Sequence, residues 1–277
     1  MVAFCGRVCY SIARPNLGRN VHRFGRVWGE RGNKSLIAPL YEMQVVKMFS
    51  KNDLRLNRST GAIFTNMLLA TISLFFNGFG VYLTIQANIG VGPWDVLNIG
   101  ASRTLGILYG TASITISYAI LVIDILMREP IGIAMFIDAF VVGKAVDFFN
   151  RIGAVPQCTS PKTGIPMMII GLIVIAYTQF GYMAAALGCG PRDTLMVGLA
   201  KRAKKIPIGA VSIALQSLVT FVGWLMGGPV GIGTLIFAFC AGPIMQFAFQ
   251  TVHFDATEIH HQHLGESAKV IFARKHA

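Results

Sequence analysis

Apolar residues in this chain do not alternate with polar ones or recur at helical intervals. They run almost unbroken for about 19 to 27 positions at a time. Runs of that length match a helix crossing a hydrocarbon core of roughly 30 Å. They cover residues 61–87, 109–127, 131–149, 165–187, 208–226 and 230–252, which predicts six transmembrane helices. Two shorter segments, 93–107 and 191–203, fall between the first and second runs and between the fourth and fifth. Each opens with Gly-x-Gly-Pro-x-Asp and is too short to cross independently, so both read as elbow or re-entrant helices.

The chain also repeats itself at an offset of 98 to 99 residues. Gly90-Val91-Gly92-Pro93-Trp94-Asp95-Val96-Leu97 matches Gly188-Cys189-Gly190-Pro191-Arg192-Asp193-Thr194-Leu195, and Gly100 matches Gly198. Pro130-Ile131-Gly132-Ile133 matches Pro229-Val230-Gly231-Ile232, followed by Ala139-Phe140 with Ala238-Phe239 and Gly143 with Gly242. Three spans per half is an odd number, so the second half enters the membrane from the opposite side. The expected fold is all-α: a polytopic transmembrane bundle of six spans, built from two inverted three-span repeats each with a short elbow. Such repeats, with interrupted helices at corresponding positions, organise many secondary transporters around a midplane site.

Composition agrees, with 54% hydrophobic and 13% charged residues among 277 and a mean hydropathy of +0.60. The net charge of +12 is concentrated at one end, because residues 1–58 hold eleven Lys and Arg against Glu30, Glu42 and Asp53. A basic tail beside a first span is an orientation signal and a binder of anionic headgroups, so nucleic acid is not an expected partner. With the N-terminus inside, twenty basic residues fall on the cytoplasmic side, against Arg103, Arg151 and Lys162 outside. This predicts both termini in the cytoplasm of a multi-pass plasma-membrane protein. The expected divisions are 1–58, a basic tail, with 1–47 either a disordered extension or the result of an upstream start; 59–154, the first repeat; 155–252, the second; and 253–277, a His-rich tail. Residues 1–47 lack the continuous apolar stretch of a secretory signal.

The Gly-x-Gly-Pro-x-Asp sequence carries two readings. Structurally, Gly90 and Gly188 end one helix, Gly92 and Gly190 lead into the next, Pro93 and Pro191 set its first turn, and the aspartate caps free backbone N–H groups. Functionally, Asp95 and Asp193 are proton carriers or cation ligands at membrane depth, where carboxylates are costly. Trp94 stands opposite Arg192 in the repeat, so such a site would have an aromatic wall and a cation. The third run adds Asp138, without a local partner, together with Lys144 and Asp147, which are spaced to share a helix face as an ion pair. Asp124 and Arg128 are spaced for another pair. Gly106 with Gly110, and Gly223, Gly227 and Gly231, have the four-residue spacing of close helix packing.

No Walker loop or serine nucleophile elbow occurs, so no enzyme and no cofactor are expected. The five cysteines have no metal-ligand spacing and read as small hydrophobes. His253, His260, His261 and His263 read as part of a solvated tail rather than a metal site.

The paired GVGPWDVL and GCGPRDTL sequences, the PIGI segment and the GGPVGIGT segment (227–234) resemble the YczE family, within the YczE/YyaS/YitT group of bacterial integral membrane proteins. The resemblance spans residues 61 to about 252. It implies a multi-pass membrane protein and supplies no catalytic residues. The family pattern has a polar uncharged residue where Asp138 stands and no charge at Lys144, so these two depart from it. The expected function is a small-solute secondary transporter or permease, with the bilayer, a small solute or ion, and a second copy of the chain as partners. The alternative is a membrane scaffold whose basic segments bind a partner or lipid.

Overall fold

A computed structural model describes residues 60–203 and 206–252. The basic N-terminal tail and the His-rich tail lie outside the described residues, as do Cys5 and Cys9. Eight helices occur among the described residues and no strand. They are α1 (Thr60–Gln86), α2 (Pro93–Leu105), α3 (Tyr109–Leu126), α4 (Ile133–Ile152), α5 (Pro161–Ala184), α6 (Pro191–Arg202), α7 (Ile208–Leu225) and α8 (Ile232–Thr251). The all-α expectation holds, and both short segments are helices.

Five of them, α1, α3, α5, α7 and α8, are long and apolar enough to cross a membrane. The sixth expected span, α4, has 20 residues and so the necessary length at 1.5 Å per residue, but it carries Asp138, Lys144, Asp147 and Arg151 and is not among the five.

The short helices begin as their sequences dictate. Pro93 and Pro191 occupy the first positions of α2 and α6, where their missing N–H would have no intrahelical partner anyway. Gly92 and Gly190 precede them in nearly identical extended conformations, with φ −62°, ψ 156° and φ −69°, ψ 159°. Two residues earlier, Gly90 and Gly188 take φ of 105° and 120°, which side chains rarely adopt.

Packing follows the repeat. Helices α1 and α5, equivalent to each other, pack together at the centre. Helix α4 lies on α1 as α8 lies on α5, and α2 lies on α7 as α6 lies on α3. Each elbow is held by the other half. The Gly233 N–H donates to Ile89 O at 2.7 Å, and the equivalent Ala134 N–H donates to Leu187 O at 3.2 Å. These approaches require glycine, since a Cβ on Gly90 would lie 2.6 Å from Gly231 N and one on Gly188 would lie 2.8 Å from Gly132 Cα.

The pairing expected at the end of α3 is corrected. Asp124 is fully buried with neither carboxylate oxygen hydrogen-bonded, and it does not pair with Arg128, whose φ of 55° turns the chain away from the α3 axis. Glu129 takes the ionic role instead, bonding Lys201 and, at 3.1 Å, Arg202 at the end of α6. Cys158 and Cys240 are free thiols.

Gly188→Ala combines a forbidden φ with a backbone collision and is expected to cost about 2 kcal/mol or more, read as a lower unfolding temperature in detergent. Gly106→Ala, at φ 64° with nothing within 4 Å of its added Cβ, adds conformational strain alone and costs less. Equal stability of the two variants would contradict the packing described.

Candidate functional site

The two elbows deliver their chemistry to one place. A cavity of about 130 Å³ lies inside the bundle, lined by Asp95 and Trp94 of α2, Arg192 and Asp193 of α6, Asp138 of α4 and Tyr109 of α3. Five of the six residues expected on an ion or solute pathway are thus brought together, from three helices and both repeats. Gly92, Pro93 and Gly190 are also among the lining residues.

Asp95 does not cap its helix as the structural reading supposes. Its carboxylate accepts the Tyr109 hydroxyl at 2.7 Å, and the residue is only 6% exposed. Tyr109 also accepts from Asn98 Nδ2 at 3.3 Å, and the same amide nitrogen donates to Ser113 Oγ at 3.3 Å. Ser113 in turn accepts from the Arg192 guanidinium at 3.3 Å. A chain of hydrogen bonds therefore runs from the carboxylate of one elbow to the cation of the other. Arg192 also lies over the Trp94 ring, 5.3 Å from its centroid, so the two residues that differ between the elbows touch across the site.

Asp138 reaches the second elbow. A Cβ on Gly190 would sit 2.9 Å from its Oδ2, so the glycine makes room for the carboxylate. Neither Asp138 nor Gln179, which lines the cavity at 8% exposure, hydrogen-bonds to another described residue.

Lys144 is not part of this site. It is exposed, 5.9 Å from the centroid of the Phe140 ring, and makes no ion pair with Asp147. Asp147 instead turns toward α3, where its Oδ1 accepts the Gly110 N–H at 2.8 Å at the helix start, whose backbone donors lack helical partners.

The sequence reading missed Tyr109, Ser113, Ser117, Asn98 and Gln179. A signal for the first three was present, since positions 109, 113 and 117 place polar groups four apart on one stripe of an otherwise apolar helix. Asn98, three residues after Asp95, lies on the same face of α2. Gln179 is an isolated polar residue in a long apolar run and has no pattern to mark it.

A protein family of unknown function (DUF6198) matches residues 64–250. The chain belongs to this family. Among its relatives, the uncharacterized membrane protein YczE of Bacillus subtilis (strain 168) is 30% identical over 177 residues, covering 63% of this chain and 81% of that protein. An uncharacterized protein of Haemophilus influenzae is 30% identical over 182 residues, covering 66% and 81%. The uncharacterized protein YyaS of Bacillus subtilis is 25% identical over 186 residues, covering 65% and 90%. The YczE-family resemblance of the elbow sequences is thereby upheld, and the chain is a membrane protein with several transmembrane helices. No solved structure matches it.

Tyr109→Phe would remove the donor to Asp95 and leave a buried carboxylate short of a partner. The expected cost is about 1–3 kcal/mol, measured by unfolding in detergent. Tyr118→Phe, at the surface of the same helix, should stay within about 0.5 kcal/mol of the unaltered protein.

Proposed function

We propose that the protein is a secondary transporter for a small solute that carries a positive charge. The observation that supports this most directly is the convergence of Asp95, Asp138, Asp193 and Arg192 on an interior cavity between helices that are otherwise apolar. Charged groups at membrane depth are expensive and mark ion or solute pathways. Three carboxylates against one guanidinium leave the lining formally negative, so a cation or one or more protons must balance it. The cavity's size restricts the occupant to a small one, and Trp94, Tyr109 and Phe237 add aromatic walls suited to an ammonium or similar group.

On this reading α4 is the sixth span. Its charges are compatible with that role: Asp138 faces the cavity, Asp147 binds backbone, and Lys144 lies along Phe140 with a stem long enough to reach the headgroups. Three spans per half then make the repeats inverted, and the distribution of basic residues supports cytoplasmic termini in a plasma-membrane protein. The exposed apolar faces of α7 and α8 meet lipid or a second copy of the chain. The scaffold alternative relies on the basic segment 188–206 and on the N-terminal tail; in the former, Lys201 and Arg202 are bonded to Glu129, which supports transport over partner binding by that segment.

The test is flux into liposomes containing the purified protein, using a panel of small ammonium and guanidinium compounds against acetate and neutral sugars. A cation is expected to accumulate, and Asp95→Asn and Asp193→Asn, each still folded, are expected to slow its uptake by about tenfold or more. Uptake of no compound, or uptake indifferent to both substitutions, would overturn the proposal.

A further inference from the structure

The contacts between repeat-equivalent helices agree throughout the structure except at one major seam. Helix α3 packs closely on α4, whereas the equivalent α7 and α8 do not pack along their length. The closed seam has a definite chemistry. Gly110 and Gly143 let the backbones meet, with a Cβ on Gly143 falling 2.8 Å from Gly110 O and 3.3 Å from Gly110 Cα, and the Gly110 N–H is bonded to Asp147.

The open seam carries the same parts. At the offset of 99 residues, Gly110 corresponds to Gly209, Gly143 to Gly242 and Asp147 to Gln246, whose amide oxygen can accept the same kind of bond. No described residue lies within 4 Å of a Cβ added at Gly209, so its lack of a side chain serves no contact among the described residues in this arrangement. Gln246 is exposed. The helix limits agree as well, since α7 and α8 begin and end 99 residues after α3 and α4. The cavity lies between the two seams: Ser117 and Asp138 line it from α3 and α4, and their counterparts Gln216 and Phe237 line it from α7 and α8.

We infer that the protein has a second conformation in which α7 and α8 close on each other through Gly209 and Gly242, with the Gly209 N–H bonded to Gln246, while α3 and α4 part. In the structure described here the α3–α4 seam is closed and the α7–α8 seam is not, and exchanging the two would expose the cavity on its other side. Two discrete helix arrangements of this kind are the bistable element that gating requires. The amide of Gln246 is a weaker acceptor than the carboxylate of Asp147, which accounts for the α3–α4 seam being the closed one. This inference deepens the transport reading, but it rests on the internal repeat, so the two can fail separately.

The test is disulfide formation between Gly209→Cys and Gly242→Cys, in the full chain with its five native cysteines replaced, in native membranes under a mild oxidant. Closure on the α3–α4 pattern brings these positions within the Cα separation a disulfide needs. A cross-linked species is expected for this pair and not for Gly209→Cys with Phe247→Cys, which lies on another side of α8. Adding Gln246→Asp should raise the yield by about threefold or more, and Gln246→Ala should lower it. No cross-link for the Gly209–Gly242 pair, equal cross-linking of both pairs, or indifference to residue 246 would each overturn the inference. Cross-linking that behaves as expected in a protein that moves no solute would leave the two-state seam standing and remove the transport reading alone.

Discussion

A helix broken among packed apolar helices must find partners for its freed backbone groups without the help of water. Here the two breaks solve the problem for each other's halves. Ile89 O, at the first elbow, accepts from Gly233 at the start of α8, and Leu187 O, at the second, accepts from Ala134 at the start of α4. Neither repeat could bury its elbow alone, because the partner comes from the other repeat in both cases. The glycines follow from that geometry. Backbones must come close enough for an N–H to reach a carbonyl, so Gly90 faces Gly231 and Gly188 faces Gly132.

Once the elbows are fixed in this way, the chemistry of the interior follows. Each elbow starts a short helix with proline, then one variable residue, then aspartate, and the reciprocal docking points both starts at one cavity. The variable residue gives Trp94 on one side and Arg192 on the other, and these stack. Burying a lone guanidinium or carboxylate would be costly, whereas the relay from Asp95 through Tyr109, Asn98 and Ser113 to Arg192 spreads the polarity over bonded groups. A symmetric backbone therefore carries an asymmetric site.

Much of this was legible in the sequence. The long apolar runs located the helices to within about four residues at each end, because a helix among lipid or apolar neighbours needs continuous apolarity and little else. The Gly-x-Gly-Pro-x-Asp repeats located the elbows, since glycine and proline act on the backbone wherever they stand. Side-chain partners were harder to read. Asp124 with Arg128 and Lys144 with Asp147 have good helical spacing, yet neither pair forms. In the first, a left-handed residue at the helix end redirects the chain; in the second, a backbone donor on a neighbouring helix takes the carboxylate. Spacing along one helix describes only the neighbours within that helix. Tertiary competitors such as the Gly110 N–H do not appear in it.

The repeat also shows where symmetry stops, and the stopping point is informative. Had both outer seams been packed alike, the cavity would be enclosed by equivalent walls and the duplicated glycines would each have a contact to explain them. Instead Gly143 is filled against Gly110, while Gly209 meets no described residue. Sequence similarity kept at a position without a present contact is most simply explained if that position has a contact in another arrangement of the same helices. The difference between Asp147 and Gln246 then sets the balance between the two arrangements, because a carboxylate holds a helix N-terminus more firmly than an amide does. The same duplication that allows the elbows to be buried supplies the parts for two alternative closures around one polar cavity.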